Sequence, residues 1–388
     1  MSIPLSEPPA PLALLGFRPG AGGIPRVMLD LIDGLHQQQV PVDLLLPAGD
    51  YPDLARLATP IPACFPLSSG DRQRARQELT HYLAERQPAA LLSNKDRSSA
   101  LLADLRAQDQ CLPPVWLRIG SDVREKIRSK RIWRRSAYRA ELLRSYRAAD
   151  GLIANSSGVA ESLAALLHQK RTPEQAPPIR TIANPLNLNR IAELSTAPAP
   201  HPWLADHSTP VILGMGRLVA VKDFPLLIRA FARLRHHRQA RLIIVGEGRQ
   251  RAALERLIRR LGLTDAVALP GYLDNPFAAL ARAALFVLSS RYEGSPNVLI
   301  EALACATSCV ATDCRSGPRD ILAQGQLGPL TPVGDVAALA DAMRQTLEAP
   351  PAADTLLAAA QRFDLSRSVA SYLQALGIAS AAQLQPVP

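Results

Sequence analysis

Aromatic side chains are scarce in this sequence. Phe, Tyr and Trp make up 4% of 388 residues, too few to build stacking platforms along a nucleic-acid strand. Long apolar runs are missing as well. The longest, such as PVDLLLP and ALFVLSS, have the length of a strand and fall far short of the roughly 20 residues a membrane-crossing helix needs. The opening stretch MSIPLSEPPAPLALLGF has no basic leader and runs directly into a glycine loop. It reads as a first strand and not as a secretory signal, which places the protein in the cytoplasm. The five cysteines, Cys64, Cys111, Cys305, Cys309 and Cys314, include no Cys-x-x-Cys pair. Periodicity sets the last three on a helix, a strand and a strand end, and all five read as buried reduced thiols, not metal ligands. Their odd number agrees with a reducing compartment.

Positive charge is abundant. The net charge is +10, and much of it is concentrated in residues 123–147, VREKIRSKRIWRRSAYRAELLRSYR, where ten Lys or Arg face only Glu125 and Glu141. Ile127, Ile132, Trp133, Tyr138, Leu142 and Tyr146 recur there at rough helical spacing. A run of this kind can be a solvated helix face. It can also be attracted to anionic headgroups or a phosphorylated substrate, at about 1 kcal/mol per basic residue near a membrane surface. No nucleic-acid-binding motif accompanies it, and nucleic acid is not expected as a partner.

Both halves of the chain alternate strand-like runs with amphipathic helical stretches. The first half reads PLALLGF, a helix from Ile24 to about Gln38, PVDLLLP, AALLSNK, PPVWLRIG, GLIANSS and IRTIANP; the second reads VILGMGR, RLIIVGEG, AVALPGY, LFVLSS and CVATD. Short apolar strands joined by helical crossovers form parallel sheets covered on both faces. Two such series, each of about five or six strands, imply an α/β protein of two doubly wound domains. The Ala-Pro-rich stretch STAPAPHPW reads as a stiff linker between them. The expected division is residues 1–190, residues 191–365, and a C-terminal helix and tail over 366–388 that returns toward the first domain. Ligands of open parallel sheets bind beyond the carboxyl ends of the strands, so a cleft between two such domains is the expected site.

The stretch SSRYEGSPNVLIEAL carries the most chemistry. Ser295 suits an N-cap and Pro296 a first helical position. The free amides and dipole over Ser295, Pro296, Asn297, Val298 and Leu299 would then form an anion site. Glu293 stands before that helix and Glu301 inside it. A carboxylate accepts hydrogen bonds and repels phosphate, so the arrangement suits a ligand anionic in its middle and rich in hydroxyls at both ends. A nucleotide sugar has that form.

EGSPNVLIEA resembles the E-x7-E signature of glycosyltransferase family 4, retaining enzymes with the two-domain GT-B fold. GMGRLVAVKDFPLLIRAF, LIIVGEG, LPGYLDNP, TDCRSGPRDIL and GPLTPVGD are similar to further motifs of that family in the same order. GAGGIPRVMLDLIDGL, AADGLIANSSGVAESL and IANPLNLNRI resemble its first half more loosely. The resemblance implies two Rossmann-like domains facing a central cleft, with the acceptor on the first and the nucleotide sugar, a UDP- or GDP-sugar, on the second. It implies that Arg217 and Lys222 grip the donor diphosphate and that Glu301 binds the ribose. Glu293 would meet the donor sugar or the charge developing at its anomeric carbon. Gly216, Gly246 and Leu273 would border the nucleotide, and Gly22 and Gly23 would approach a sugar or phosphate after the first strand. Cations can stabilise a departing diphosphate, and the sequence has no Asp-x-Asp pair to hold a divalent metal there. No metal and no cofactor are therefore expected.

Two departures from the family stand out. Its signature helix is usually followed by Gly-x-Pro, where this sequence has Ala306 and Ser308. Members often carry a His after the strand corresponding to PPVWLRIGSD, where Arg118 and Asp122 are the polar residues here. The resemblance implies front-face substitution, in which the leaving phosphate takes the acceptor proton, so no protein base is obligatory. The acceptor would be a glycan or a lipid-linked species of cell-surface polysaccharide or lipopolysaccharide synthesis. A nucleotide-sugar epimerase and a catalytically degenerate binding subunit are the alternatives.

Overall fold

The computed structural model describes residues 9–19, 23–108, 111–168, 176–206 and 208–379. Its contacts divide the chain into two units. One holds the residues up to Leu186 together with those from Leu365 onward, and the other runs from Asn187 to Asp364.

The first unit is built on a seven-stranded parallel sheet of β1 (Leu12–Leu15), β2 (Val42–Leu46), β3 (Ala63–Pro66), β4 (Ala90–Ser93), β5 (Val115–Ile119), β6 (Gly151–Ala154) and β7 (Ile179–Thr181). Its order is β3-β2-β1-β4-β5-β6-β7. Chain direction across the sheet reverses between β1 and β4, and their carboxyl ends define a topological switch point. Strands β1, β2, β4, β5 and β6 are buried throughout, which accounts for their largely apolar sequences, with Asp43 in β2 and Arg118 in β5 as the buried charged exceptions. One sheet face packs against the Gly23–Gln37 helix, which in turn receives the C-terminal Leu365–Leu376 helix. Val369, Tyr372, Leu373 and Leu376 join Met28, Ile32 and Leu35 in one core cluster. The approach is close at Gly34, where a Cβ would lie 2.5 Å from Val369 and 2.8 Å from Leu365.

The second unit has a six-stranded parallel sheet of β8 (Val211–Met215), β9 (Arg241–Val245), β10 (Val267–Gly271), β11 (Leu285–Leu288), β12 (Cys309–Thr312) and β13 (Leu330–Thr331). Its order is β10-β9-β8-β11-β12-β13, so its switch point lies between β8 and β11. The core beneath it sets Phe224 and Phe231 of the Phe224–Arg235 helix against aliphatic Ile212, Leu242, Ile244 and Val287.

Several expectations need correction. The sheets have seven and six strands where six and five runs are evident in the sequence. The missed ones, β3 and β13, are both edge strands; β3 is mostly exposed, and β13 is two residues long. The basic stretch is two helices, Val123–Arg128 and Ile132–Arg147, because the chain turns at Ser129–Arg131. The helix after Glu293 starts at Asn297, with extended Pro296 as its N-cap residue, so the cap falls one residue later than Ser295. Cys64 and Cys111 are exposed, whereas Cys309 and Cys314 are buried.

Candidate functional site

Two loops at the switch point of the second unit gather most of the expected residues. After β8 the chain passes through Gly216, Arg217 and Leu218 into a single 3-10 turn, Ala220–Lys222, and then into the Phe224–Arg235 helix. After β11 it runs through Ser289 to Gly294 before the Asn297–Ala304 helix. Backbone and side chains lace the two loops together. The Arg291 amide donates to the Val221 carbonyl at 2.8 Å, Ser289 Oγ to the Lys222 carbonyl at 2.8 Å, and Arg291 Nε to Asp223 Oδ2 at 2.8 Å.

Within this frame Lys222 Nζ lies 2.6 Å from Glu293 Oε1, and Ser290 Oγ donates to the same oxygen at 2.6 Å. The side chains are 19% and 14% exposed, so the pair is shielded from most solvent yet open to a ligand. Charge-assisted bonds of this length are strong when partly desolvated. Gly216 makes room for the lysine, since a Cβ there would meet Lys222 Cε at 3.1 Å. Gly246, at φ +135°, has a harder constraint: a Cβ would fall 2.0 Å from the Gly216 carbonyl oxygen. Only glycine lets the ends of β8 and β9 approach so closely.

Arg217 extends from the same loop into solvent and makes no side-chain hydrogen bond or ion pair among the described residues. Glu301 is buried in the Asn297–Ala304 helix, while Asn297 and Val298 are half-buried at its start. Leu273 is half-buried just after β10, beside Tyr272, an exposed aromatic that the sequence reading had not singled out. A third loop backs the signature turn. Gly317, at φ +86°, packs where a Cβ would meet Pro296 Cδ at 2.6 Å and the Gly294 carbonyl at 2.7 Å. The Glu293 amide donates to the Arg315 carbonyl at 3.3 Å. The signal for that support is SGP in TDCRSGPRDIL, where a glycine before proline marks a turn. Burial, with the Glu293 carboxylate next in weight, pushes the Cys314 thiol up to about 12. It therefore stays protonated at neutral pH.

The remaining residues belong to the first unit. Gly22 lies outside the described residues. Gly23 opens the Gly23–Gln37 helix after β1 and is exposed. Asp122 is buried and caps the Val123–Arg128 helix, its Oδ1 accepting from the amides of Arg124 and Glu125 at 2.8 and 3.3 Å. Arg118 is buried at the end of β5. Its Nε donates to Tyr372 Oη at 3.0 Å, its Nη1 to Asn94 Oδ1 at 3.0 Å and its Nη2 to Asn184 Oδ1.

Two doubly wound parallel-sheet units, with charged loops at the switch point of the second, define the GT-B class of α/β proteins. The family model Glycosyltransferase Family 4 matches residues 21–190 and the model Glycosyl transferases group 1 matches residues 209–349, together most of the chain. The chain belongs to this glycosyltransferase family. It is 39% identical over 137 residues, 35% of its length, to the N-acetylgalactosamine-N,N'-diacetylbacillosaminyl-diphospho-undecaprenol 4-alpha-N-acetylgalactosaminyltransferase of Campylobacter jejuni, covering 37% of that protein. It is 32% identical over 200 residues, 52% of its length, to the lipopolysaccharide core biosynthesis glycosyltransferase LpsE of Rhizobium meliloti, covering 54% of it. The chain thus spans about a third to a half of these relatives' length. Among solved structures, HepE of Anabaena in complex with UDP aligns over 95% of this chain and 99% of its own. The identity is 20% and the TM-score 0.76. Its complex with UDP-glucose aligns over 94% and 99%, at 20% identity and a TM-score of 0.74.

Proposed function

We propose that the protein is a retaining, metal-independent glycosyltransferase that moves a sugar from a nucleotide-sugar donor to an acceptor hydroxyl. The observation that carries this reading is the Lys222–Glu293 pair at 2.6 Å, set at the switch point beside Arg217 and the Asn297–Ala304 helix. In the ligand-free site the carboxylate is the lysine's counter-ion. A bound diphosphate offers Lys222 a more highly charged partner and frees Glu293 for the donor sugar. Arg217, the helix amides and Lys222 then face the oxygens on which charge grows as the nucleotide departs. The bond from the anomeric carbon to the diphosphate breaks and a bond to the acceptor oxygen forms on the same face. The acceptor proton passes to a phosphate oxygen of the leaving group, giving a nucleoside diphosphate and a glycoside of unchanged anomeric configuration. Glu301, buried one helical segment away, binds the ribose hydroxyls in this reading.

The names of the relatives favour a glycan or lipid-linked acceptor of cell-surface polysaccharide synthesis, and the UDP complexes of HepE favour a uridine donor over a guanosine one. A thermal-shift panel of nucleotide sugars identifies the donor, since a ligand at 100 times its dissociation constant adds about 2.7 kcal/mol of stability. NMR of the product then reads the anomeric configuration. Inversion at the anomeric carbon, or full inactivation by a chelator with rescue by magnesium, would refute the mechanism. Glu301→Gln should weaken free nucleoside diphosphate and intact donor by similar factors. Glu293→Gln removes the carboxylate that competes with the diphosphate for Lys222, so it should leave nucleoside diphosphate binding intact or tighter and still damage transfer.

A second element of the proposal concerns location. Ile132 and Trp133 are 75% and 68% exposed on the Ile132–Arg147 helix, with Arg131 stacked over the Trp133 ring at 5.3 Å and Lys130 over Tyr138 at 4.4 Å. Two exposed apolar residues ringed by cations suit an interfacial contact with anionic lipid. Among the described residues no helix is long and apolar enough to cross a membrane. The contact would be peripheral, on the inner face of the cytoplasmic membrane.

A further inference from the structure

A cavity of about 390 Å³ opens at the switch point of the first unit, lined among others by Lys95, Asp96, Arg97, Arg118, Gly120 and Lys126. Four of its eleven lining residues are basic and one is acidic, and the acid is already occupied. Asp96 Oδ1 accepts from Lys126 Nζ at 2.6 Å and Oδ2 from Tyr138 Oη at 2.6 Å. Arg97 is engaged with the Ser69 carbonyl. Lys95 is exposed, and its ammonium has no partner among the described residues.

Arg118 is the decisive residue. It is only 3% exposed, and its three partners, Tyr372, Asn94 and Asn184, are all neutral oxygens. Burial holds the Tyr372 phenol above its ordinary range, so it does not serve as a phenolate counter-ion. Asp122 is turned to cap its own helix. A guanidinium has five N–H donors, which leaves one on each of Nη1 and Nη2 without a partner among the described residues. A buried cation with no counter-charge is costly, and the cost falls if an anion enters the cavity it lines. Gly120 keeps the approach clear, because a Cβ there would lie 3.3 Å from Arg118 Nη1. The Asp96–Arg106 helix adds its amino terminus, which carries no capping side chain, and such an end attracts anions.

We propose that this cavity is a phosphoryl-binding subsite, in which Arg118 and Lys95 hold a phosphate or diphosphate group of the acceptor. Arginine's fork suits two phosphate oxygens at once, and the volume exceeds that of phosphate alone, which leaves room for the adjoining sugar or prenyl carbon. The subsite rests on the transferase reading only for the statement that its ligand is the acceptor; anion binding itself is independent of that reading.

The test is calorimetric titration of the full chain with inorganic pyrophosphate, farnesyl diphosphate and farnesol. It is done in an Arg217→Ala/Lys222→Ala background, so that the second unit's cations do not contribute. Pyrophosphate and farnesyl diphosphate should bind and farnesol should not. Adding Lys95→Glu, a change at an exposed position, should weaken both at least tenfold while leaving the melting temperature unchanged. Arg118→Gln should do the same where it folds. Tighter binding of farnesyl diphosphate than of pyrophosphate assigns the group to a lipid carrier, and equal binding assigns it to a soluble phosphorylated glycan. Pyrophosphate affinity unchanged by Lys95→Glu, or absent from the double-alanine background, overturns the subsite. Loss of nucleotide-sugar binding by the unaltered protein, with Lys95-dependent pyrophosphate binding retained, would instead sink the transferase reading alone.

Discussion

At the scale of single residues, the Lys222–Glu293 contact separates binding from chemistry. Leaving-group charge grows toward the transition state, so Lys222→Ala should lower kcat more than it weakens donor binding. The loss should be about 3 kcal/mol of barrier, roughly a hundredfold in kcat, measured alongside a melting curve, because the substitution also strips Glu293 of its cation. An equal loss of donor affinity with kcat unchanged would place Lys222 in binding only. A different residue shows how a departure from a family pattern becomes a measurable cost. Ala306, the departure from the Gly-x-Pro pattern that the resemblance implies, sits at φ +56°. The left-handed conformation costs an L-residue about 1–2 kcal/mol, and glycine returns part of that as backbone entropy. Ala306→Gly should therefore stabilise the protein by about 0.5–1 kcal/mol in thermal unfolding, and a lower melting temperature would show that the methyl group's packing outweighs the strain.

Elements were legible in the sequence in proportion to how thoroughly they are buried. Strands β1, β8 and β11, covered on both faces, appear as uninterrupted apolar runs, and the Gly23–Gln37 helix begins and ends within one residue of its sequence reading. The edge strands did not announce themselves, because β3 spends most of its residues in solvent and β13 makes few backbone bonds. The same reasoning applies to the site. Glu293 and Glu301 were visible from spacing, but nothing local marks that Lys222, 71 residues earlier, would close on Glu293. That contact depends on β8 and β11 being neighbours. Arg118 was noticed only because a histidine was missing there; that no carboxylate among the described residues pairs with it depends on the fold. The basic stretch failed as one helix because charge density carries no information about the turn at Ser129–Arg131. Its two helices give an electrostatic prediction. The protein should sediment with anionic vesicles and not neutral ones, and added salt should release it, the Debye length being about 8 Å at physiological ionic strength. Changing Arg124, Lys126, Lys130, Arg131, Arg134 and Arg135 together to Gln should abolish sedimentation; sedimentation indifferent to salt and to these changes would refute the membrane contact.

At the scale of the whole molecule, the two units differ in how the chain supplies them. The second is continuous from Asn187 to Asp364, whereas the first takes its last helix from beyond the second. A fragment of residues 187–364 should be soluble, melt cooperatively and bind UDP, as read by calorimetry. A fragment ending at residue 186 leaves the apolar face of the Gly23–Gln37 helix without Val369, Tyr372 and Leu373. It should aggregate or melt well below the full chain, and an equally stable fragment would show that the returning helix is dispensable. During synthesis on the ribosome the order of completion is then inverted relative to the order of emergence. The sheet that is translated first must wait, partly uncovered, while the whole of the later unit emerges and can close on itself. Only when Leu365–Leu376 clears the ribosome is its clasp available, so a premature stop near the end of the message damages the part of the protein that was made at the beginning.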